Sequence, residues 1–247
     1  MLHVEFIKAF EDNYIWLIKN NNNECVIVDP GSSIPVIEYL KNRNLTLKKI
    51  LITHHHQDHI GGVKELQEIF RDIELIAPYN INLPNVTSHV SDGDVISIFN
   101  HTFEVMELPG HTKEHIGFFG DKKLFCGDVL FSGGCGRVFT KKYDDMFESL
   151  LKIKSLPGDT LIFCAHEYTE NNLKFALHTE PKNHNLVQYN QVVSDMRTKN
   201  IPTIPVKLSN EKKVNPFLRC DILSKNDLEN LSEFDFFIKL RKQKDLF

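Results

Sequence analysis

Cysteine is scarce in this 247-residue chain and poorly spaced for a structural role. Cys25, Cys126, Cys135, Cys164 and Cys220 make an odd number, and no Cys-x-x-Cys pair occurs. A disulfide framework and a thiolate-held zinc are therefore excluded, which leaves free, buried thiols in a reducing compartment. Long apolar runs are also missing. Nothing approaches the roughly 18 to 20 residues needed to span a bilayer. The opening MLHVEFIKAFEDNY carries acidic residues and no apolar core of signal-peptide length, so a cytoplasmic protein with no membrane partner is expected. Positive charge is not in excess. The 29 Lys and Arg stand against 33 Asp and Glu, and a net charge of -4 gives no field for a nucleic acid. There is no internal repeat, and no low-complexity segment beyond the Asn run at 20–23.

The first half alternates short apolar runs with turn signals. VEFIKAF, NYIWLI and CVIVD read as strands, IPVIEYLKNRN as a helix, and KKILIT as a strand running straight into a His-rich loop. GGVKELQEIF has Val63, Leu66, Ile69 and Phe70 on one helical face. Further strands are expected at ELIAP, DVISIF, FEVMELPGH, HIGFFG and KLFCGDVLF, then a helix at YDDMFESLLKIKSLPGD and a strand feeding a helix from Thr160. Beyond about residue 172 the strand signals end, and helices around LVQYNQVVSDMRTKN and SEFDFFIKLRKQKD flank a Pro-containing connector. A strand-rich α/β domain over 1–170 and a helical tail over 171–247 are expected. Two sheets between helices fit this pattern, although periodicity alone does not single out that layout.

What is abundant is histidine, and it is concentrated. THHHQDH, Thr53 to His59, holds four of the 12 His together with Asp58. Neutral imidazole and carboxylate are ligands for zinc, iron or manganese, and no thiolate is required. After a strand, a loop of this spacing can turn His54, His56, Asp58 and His59 toward a common centre, whereas His55 and Gln57 occupy the alternating positions and point away. One such cluster could still be a surface run or an isolated clamp. Three further ligand-type residues decide against that: His111 in LPGHT, Asp128 in CGD and His166 in CAHEY each follow an apolar strand. Strand ends are where a sheet presents side chains to a shared pocket. Seven ligands are too many for one zinc and suit two, with an Asp shared between the ions.

In this order THHHQDH, PGHT, GD and AHEY resemble the metallo-β-lactamase superfamily. FEDNYIW, VDPG, LFSGGCGRVF, AHEYTENNLKFA, NPFLR and the closing RKQKD are similar to the glyoxalase II (hydroxyacylglutathione hydrolase) family, over essentially the whole chain. The resemblance implies an αββα sandwich with a small C-terminal helical domain. It implies one metal on His54, His56 and His111, a second on Asp58, His59 and His166, and Asp128 as the bridge. The ions would be zinc, with iron or manganese tolerated. The implied reaction converts S-D-lactoylglutathione to D-lactate and glutathione, in methylglyoxal detoxification, by attack of a hydroxide held between two metals and oriented by Asp58.

Glutathione is an anionic handle, and a basic cluster ends this acidic chain. Spacing alone reads Arg241 and Lys244 as the solvated face of the last helix. The resemblance makes them the grip on the glycine carboxylate, with Arg137 and Tyr168 as further glutathione contacts. Arg137 stands where animal relatives often carry Lys, and Phe139 where they carry Tyr, which bears on affinity and not on reaction type. A monomer is expected. The alternative is a glutathione-persulfide dioxygenase of the same fold with a single iron on two His and one carboxylate. His59 and the basic tail favour two metals and the thioesterase.

Overall fold

The computed structural model describes residues 2–227 and 230–247. Two compact units divide the chain. The first runs to Glu107 and takes Glu114–Asp121 and Phe125–Gly127; the second holds Leu108–Lys113, Lys122–Leu124 and Asp128–Phe247.

In the first unit β1 (His3–Ala9), β2 (Asn13–Lys19) and β3 (Glu24–Val28) pair antiparallel. Helix α1 (Ser33–Arg43) then crosses to β4 (Thr46–Leu51). The short α2 (Gln57–Ile60) and α3 (Val63–Ile69) cross to β5 (Glu74–Pro78), which pairs with β6 (Ser88–Val90). The pairs β3–β4, β4–β5 and β5–β6 are parallel. Parallel neighbours need long crossovers, and α1 and α3 supply two of them. Their apolar faces, Val36 and Leu40 on α1 and Val63 and Leu66 on α3, pack with Ile15, Leu17, Ile27 and Ile50 of the sheet. Strand β2 is buried on both of its faces from Asn13 to Ile18, as a sheet covered on two sides requires. Helix α1 stops where Asn44 turns left-handed (φ 51°) and donates its N–H to the carbonyls of Leu40 and Lys41. A second set of strands, β7 (Val95–Ile98), β8 (His101–Glu107), β9 (Ile116–Gly120) and β10 (Lys123–Gly127), lies in the order β10-β9-β8-β7.

In the second unit β11 (Leu130–Phe131) and β12 (Gly134–Cys135) form a hairpin about the Ser132–Gly133 turn. Helix α4 (Tyr143–Ser155) buries Met146, Leu150 and Ile153, the register the sequence predicts. Strand β13 (Leu161–Cys164) feeds α5 (Thr169–Thr179), followed by α6 (His184–Arg197). Then come β14 (Val206–Lys207), α7 (Leu208–Val214), a 3-10 turn at Pro216–Leu218, α8 (Cys220–Leu223) and α9 (Glu233–Leu246). Leu173 and Ala176 of α5, Leu186 and Val193 of α6 and Val214 of α7 make one core. Phe237 of α9 packs against the tilted ring of Phe147 and meets Phe217 edge-on.

Two expectations are corrected. The His-rich segment is not loop throughout, because Gln57–Ile60 close one helical turn. Strand structure does not end at 172 either. Two residues of the Pro-containing connector, Val206 and Lys207, pair antiparallel with Ile162 and Leu161. A two-residue strand has no period to read; its partner creates it. All five cysteines are buried thiols outside any disulfide, as expected.

Candidate metal centre and substrate handle

In the first unit β4 delivers Thr53 and the His cluster. His54 and His59 are fully buried, His56 and Asp58 are half-buried, and His55 and Gln57 are exposed. The exposed His55 ring pairs with Glu114 instead. The alternation read from the sequence therefore holds, and the helical turn α2 is what aims Asp58 and His59.

Asp29, at the end of β3, organises this group. Its Oδ1 accepts from the Thr53 N–H (2.8 Å), and its Oδ2 accepts from Thr53 Oγ1 (2.7 Å) and from His59 Nδ1 (3.0 Å). With its own proton committed to Asp29, Thr53 Oγ1 accepts from His54 Nδ1 at 3.0 Å. Both imidazoles thus carry their proton on Nδ1 and present an Nε2 lone pair. His54 Nε2 lies 3.1 Å from His56 Nδ1, and His59 Nε2 lies 3.5 Å from Asp58 Oδ2. Asn13 Nδ2 donates to the same Asp58 oxygen at 3.0 Å. Donor atoms of Asp29, His54 and His59 lie within 4.8 Å of one another. The chain can pack this tightly because Gly31 faces the Asp58 carbonyl, which a Cβ there would meet at 1.8 Å.

The second unit carries the other three residues. His111 Nδ1 donates to the Arg137 carbonyl at 2.9 Å, so its Nε2 is the lone-pair nitrogen. That nitrogen is 3.3 Å from Asp128 Oδ2, and His166 Nε2 is 3.4 Å from Asp128 Oδ1. Each carboxylate oxygen of Asp128 thus faces a different imidazole. Two ligand atoms each about 2.0–2.1 Å from a tetrahedral ion stand about 3.3–3.4 Å apart. The second unit's spacings, 3.3 and 3.4 Å, match that value and the first unit's, 3.1 and 3.5 Å, bracket it; the donors are the nitrogen and oxygen types that divalent metals take. The His and Asp sets fit divalent cations.

Arg137, Tyr168, Arg241 and Lys244, the residues the resemblance implies for glutathione, all belong to the second unit. Arg241 is 4% exposed, which rules out the solvated-face reading. Its Nη1 donates to the Cys135 carbonyl (2.8 Å) and its Nη2 to Asp245 (3.0 Å). Its guanidinium lies 5.2 Å from the Phe217 ring centroid. The buried Arg241 Nε has no hydrogen-bond partner among the described residues. The exposed Arg137 reaches the same Asp245 at 3.5 Å. Half-buried Lys244 sits over Phe175 and Phe247, and its pKa is lowered by desolvation first and by the nearby Arg241 second. Tyr168, at the start of α5, stacks on His166. Exposed Phe139 meets His111 edge-on at 5.3 Å.

Three residues in these arrangements were missed at the sequence level: Asp29, Asn13 and His115. Fully buried His115 stacks on His54 with ring centroids 4.6 Å apart. Asp29 ends an apolar strand in CVIVD, the same signal that found Asp128, and could have been found that way. Nothing local marks Asn13 or His115.

The family described as the metallo-beta-lactamase superfamily matches residues 10–166, and the hydroxyacylglutathione hydrolase C-terminus matches residues 167–247. A hydroxyacylglutathione hydrolase of Vibrio campbellii is 50% identical over the whole of both chains. One from Vibrio vulnificus is 52% identical over 89% of this chain and 87% of its own. Among solved structures, ETHE1 from Myxococcus xanthus superposes with TM-score 0.70 at 21% identity, covering 98% of this chain and 90% of that one. TTHA1623 in a di-iron-bound form gives 0.62 at 22% identity, covering 87% and 100%. These distant likenesses carry the fold, and the full-length relatives carry the activity. The dioxygenase alternative is accordingly set aside, and the chain belongs to the hydroxyacylglutathione hydrolases, thioester hydrolases of the metallo-β-lactamase superfamily.

Proposed function

We propose that the chain hydrolyses S-D-lactoylglutathione to D-lactate and glutathione, as a monomer in the cytoplasm. Residues 1–170 would form the catalytic domain and 171–247 the glutathione-binding one. The observation that carries the site is Asp128, whose two oxygens each face a separate imidazole at 3.3 and 3.4 Å. In this reading His54, His56 and His111 hold one divalent cation, Asp58, His59 and His166 hold another, and Asp128 is shared. Zinc is the expected ion, with iron or manganese as substitutes. The di-iron form of a structural neighbour supports two ions without choosing the element here. Bound there, the two cations supply a water activated at neutral pH and polarise the thioester carbonyl.

The protein's own part is to position. Asn13 holds Asp58 by its Oδ2, which fixes the carboxylate as an acceptor for the proton of the attacking water. Arg137, Tyr168, Arg241 and Lys244 grip the glutathione arm and place the carbonyl. The departing thiolate needs no acid from the protein, because a free thiol has a pKa of about 8.5.

Metal content per chain, read alongside loss of the thioester absorbance, tests the proposal. Two ions per chain with rapid loss is the expected result. Chelation should abolish the activity, and added zinc should restore it. Full loading without thioester cleavage would overturn it. Asp58→Asn with full metal content and full turnover would remove Asp58 from the mechanism.

A further inference from the structure

One fully buried carboxylate in the second unit has no part in the site described above. Glu211 of α7 is 0% exposed. Its Oε1 accepts from Ser132 Oγ (3.0 Å), and its Oε2 accepts from the Gly133 N–H (2.8 Å) and Asn215 Nδ2 (3.0 Å). Ser132 Oγ is also bonded to Tyr189 Oη at 2.8 Å. Asn215 Nδ2 donates further to the carbonyls of Phe131 (3.1 Å) and Gly134 (2.9 Å), and Asn172 Nδ2 to that of Ser132 (3.1 Å). The turn between β11 and β12 is therefore held at four successive residues by buried side chains.

Such a carboxylate is an expensive tie, because burial opposes its charge. In its ionised form, its bonds are charge-assisted and about twice as strong as neutral ones. What the turn carries explains why firmness matters. Its outgoing strand ends at Cys135, whose carbonyl takes Arg241 Nη1. Gly136 then passes so close to the Asp128 carbonyl that a Cβ would meet it at 1.9 Å. Arg137 follows at once; its side chain shares Asp245 with Arg241, and its carbonyl holds His111 Nδ1. A shift of the turn would move all three.

We infer that Glu211 is a positioning residue for the glutathione arm of the substrate. By clamping Ser132 and Gly133 it sets where the Cys135 carbonyl lies, and hence where Arg137 and Arg241 meet the anionic arm. This rests on the reading of Arg137, Arg241 and Lys244 as the glutathione grip.

Glu211→Gln keeps the volume but turns an amide toward one of three donors, so part of the clamp is lost. With the metal-loaded enzyme, KM for the thioester and the calorimetric Kd for glutathione itself should both rise about five-fold, with kcat held within about two-fold. General loosening of the fold would instead lower kcat and the thermal midpoint together, and that result would overturn the inference. Lys244→Ala separates the two layers. If it raises both constants while Glu211→Gln leaves them unchanged, the grip stands and the positioning role fails. If Lys244→Ala changes neither, the grip reading falls and the inference falls with it. Should Glu211→Gln not fold, Ser132→Ala carries the test. It should raise Kd about two-fold, and an unchanged Kd would overturn the proposal.

Discussion

Tyr168 lies flat on His166, the two ring centroids 4.6 Å apart and their planes 8° from parallel. A stacked partner fixes ring orientation without occupying either imidazole nitrogen. Tyr168→Ala should therefore free the His166 ring and lower metal content toward one ion per chain. Tyr168→Phe should keep two ions and raise only KM. Elemental analysis of the purified variants checks both outcomes.

Asp29 sets the tautomers of His54 and His59 through three accepted hydrogen bonds. Asp29→Asn replaces one accepting oxygen with a donor and pits it against a donor already in place. Partners of this kind are worth about 10–100-fold in metal affinity. Competition with a chromogenic chelator should show a loss of that size, and an unchanged affinity would refute the role.

Arg241 and Lys244 are expected to fail differently. Arg241→Ala leaves the buried Cys135 carbonyl without its donor and removes the packing on Phe217, costing about 2–3 kcal/mol of stability along with binding. Lys244→Ala, at a half-buried position, should raise KM and leave the urea midpoint near wild type. Paired unfolding curves and kinetics distinguish the two.

Glu211 should make stability depend on pH. Burial raises its pKa from an ordinary 4.5 to about 7, against the lowering effect of the Gly133, Asn215, Ser132 and Asn210 hydrogen bonds. Its titratable neighbour is Tyr189, whose phenol is itself pushed up by burial. The folded state thus holds the proton more tightly than the unfolded chain does. That contribution is fully present below about pH 4.5 and is lost as pH rises through about 7, on the order of 3 kcal/mol. Glu211→Gln should flatten the difference in unfolding free energy between pH 5 and pH 8. An equally steep variant would contradict it.

Most of the residues proposed here as metal ligands could be singled out because they sit where pattern is informative. His111, Asp128 and His166 each follow a strand, and the exposure of His55 and Gln57 follows from simple alternation. The longer elements of the first unit were legible for the same reason, since their apolar periods are sustained. Short pieces were not. Strand β6 lacks an alternating apolar pattern, and β14 exists only through its pairing with β13.

The sequence by itself determined the candidate ligand types, their order along the chain and the family the chain belongs to, because these depend on residue identity and local spacing. Only the tertiary structure decided which imidazole nitrogen faces which oxygen, since tautomers are set by long-range partners such as Asp29 and the Arg137 carbonyl. It also decided that Arg241 is buried, although helical spacing alone placed it on the solvated face. A carbonyl 106 residues away, at Cys135, receives its guanidinium, and no local period records a contact of that range.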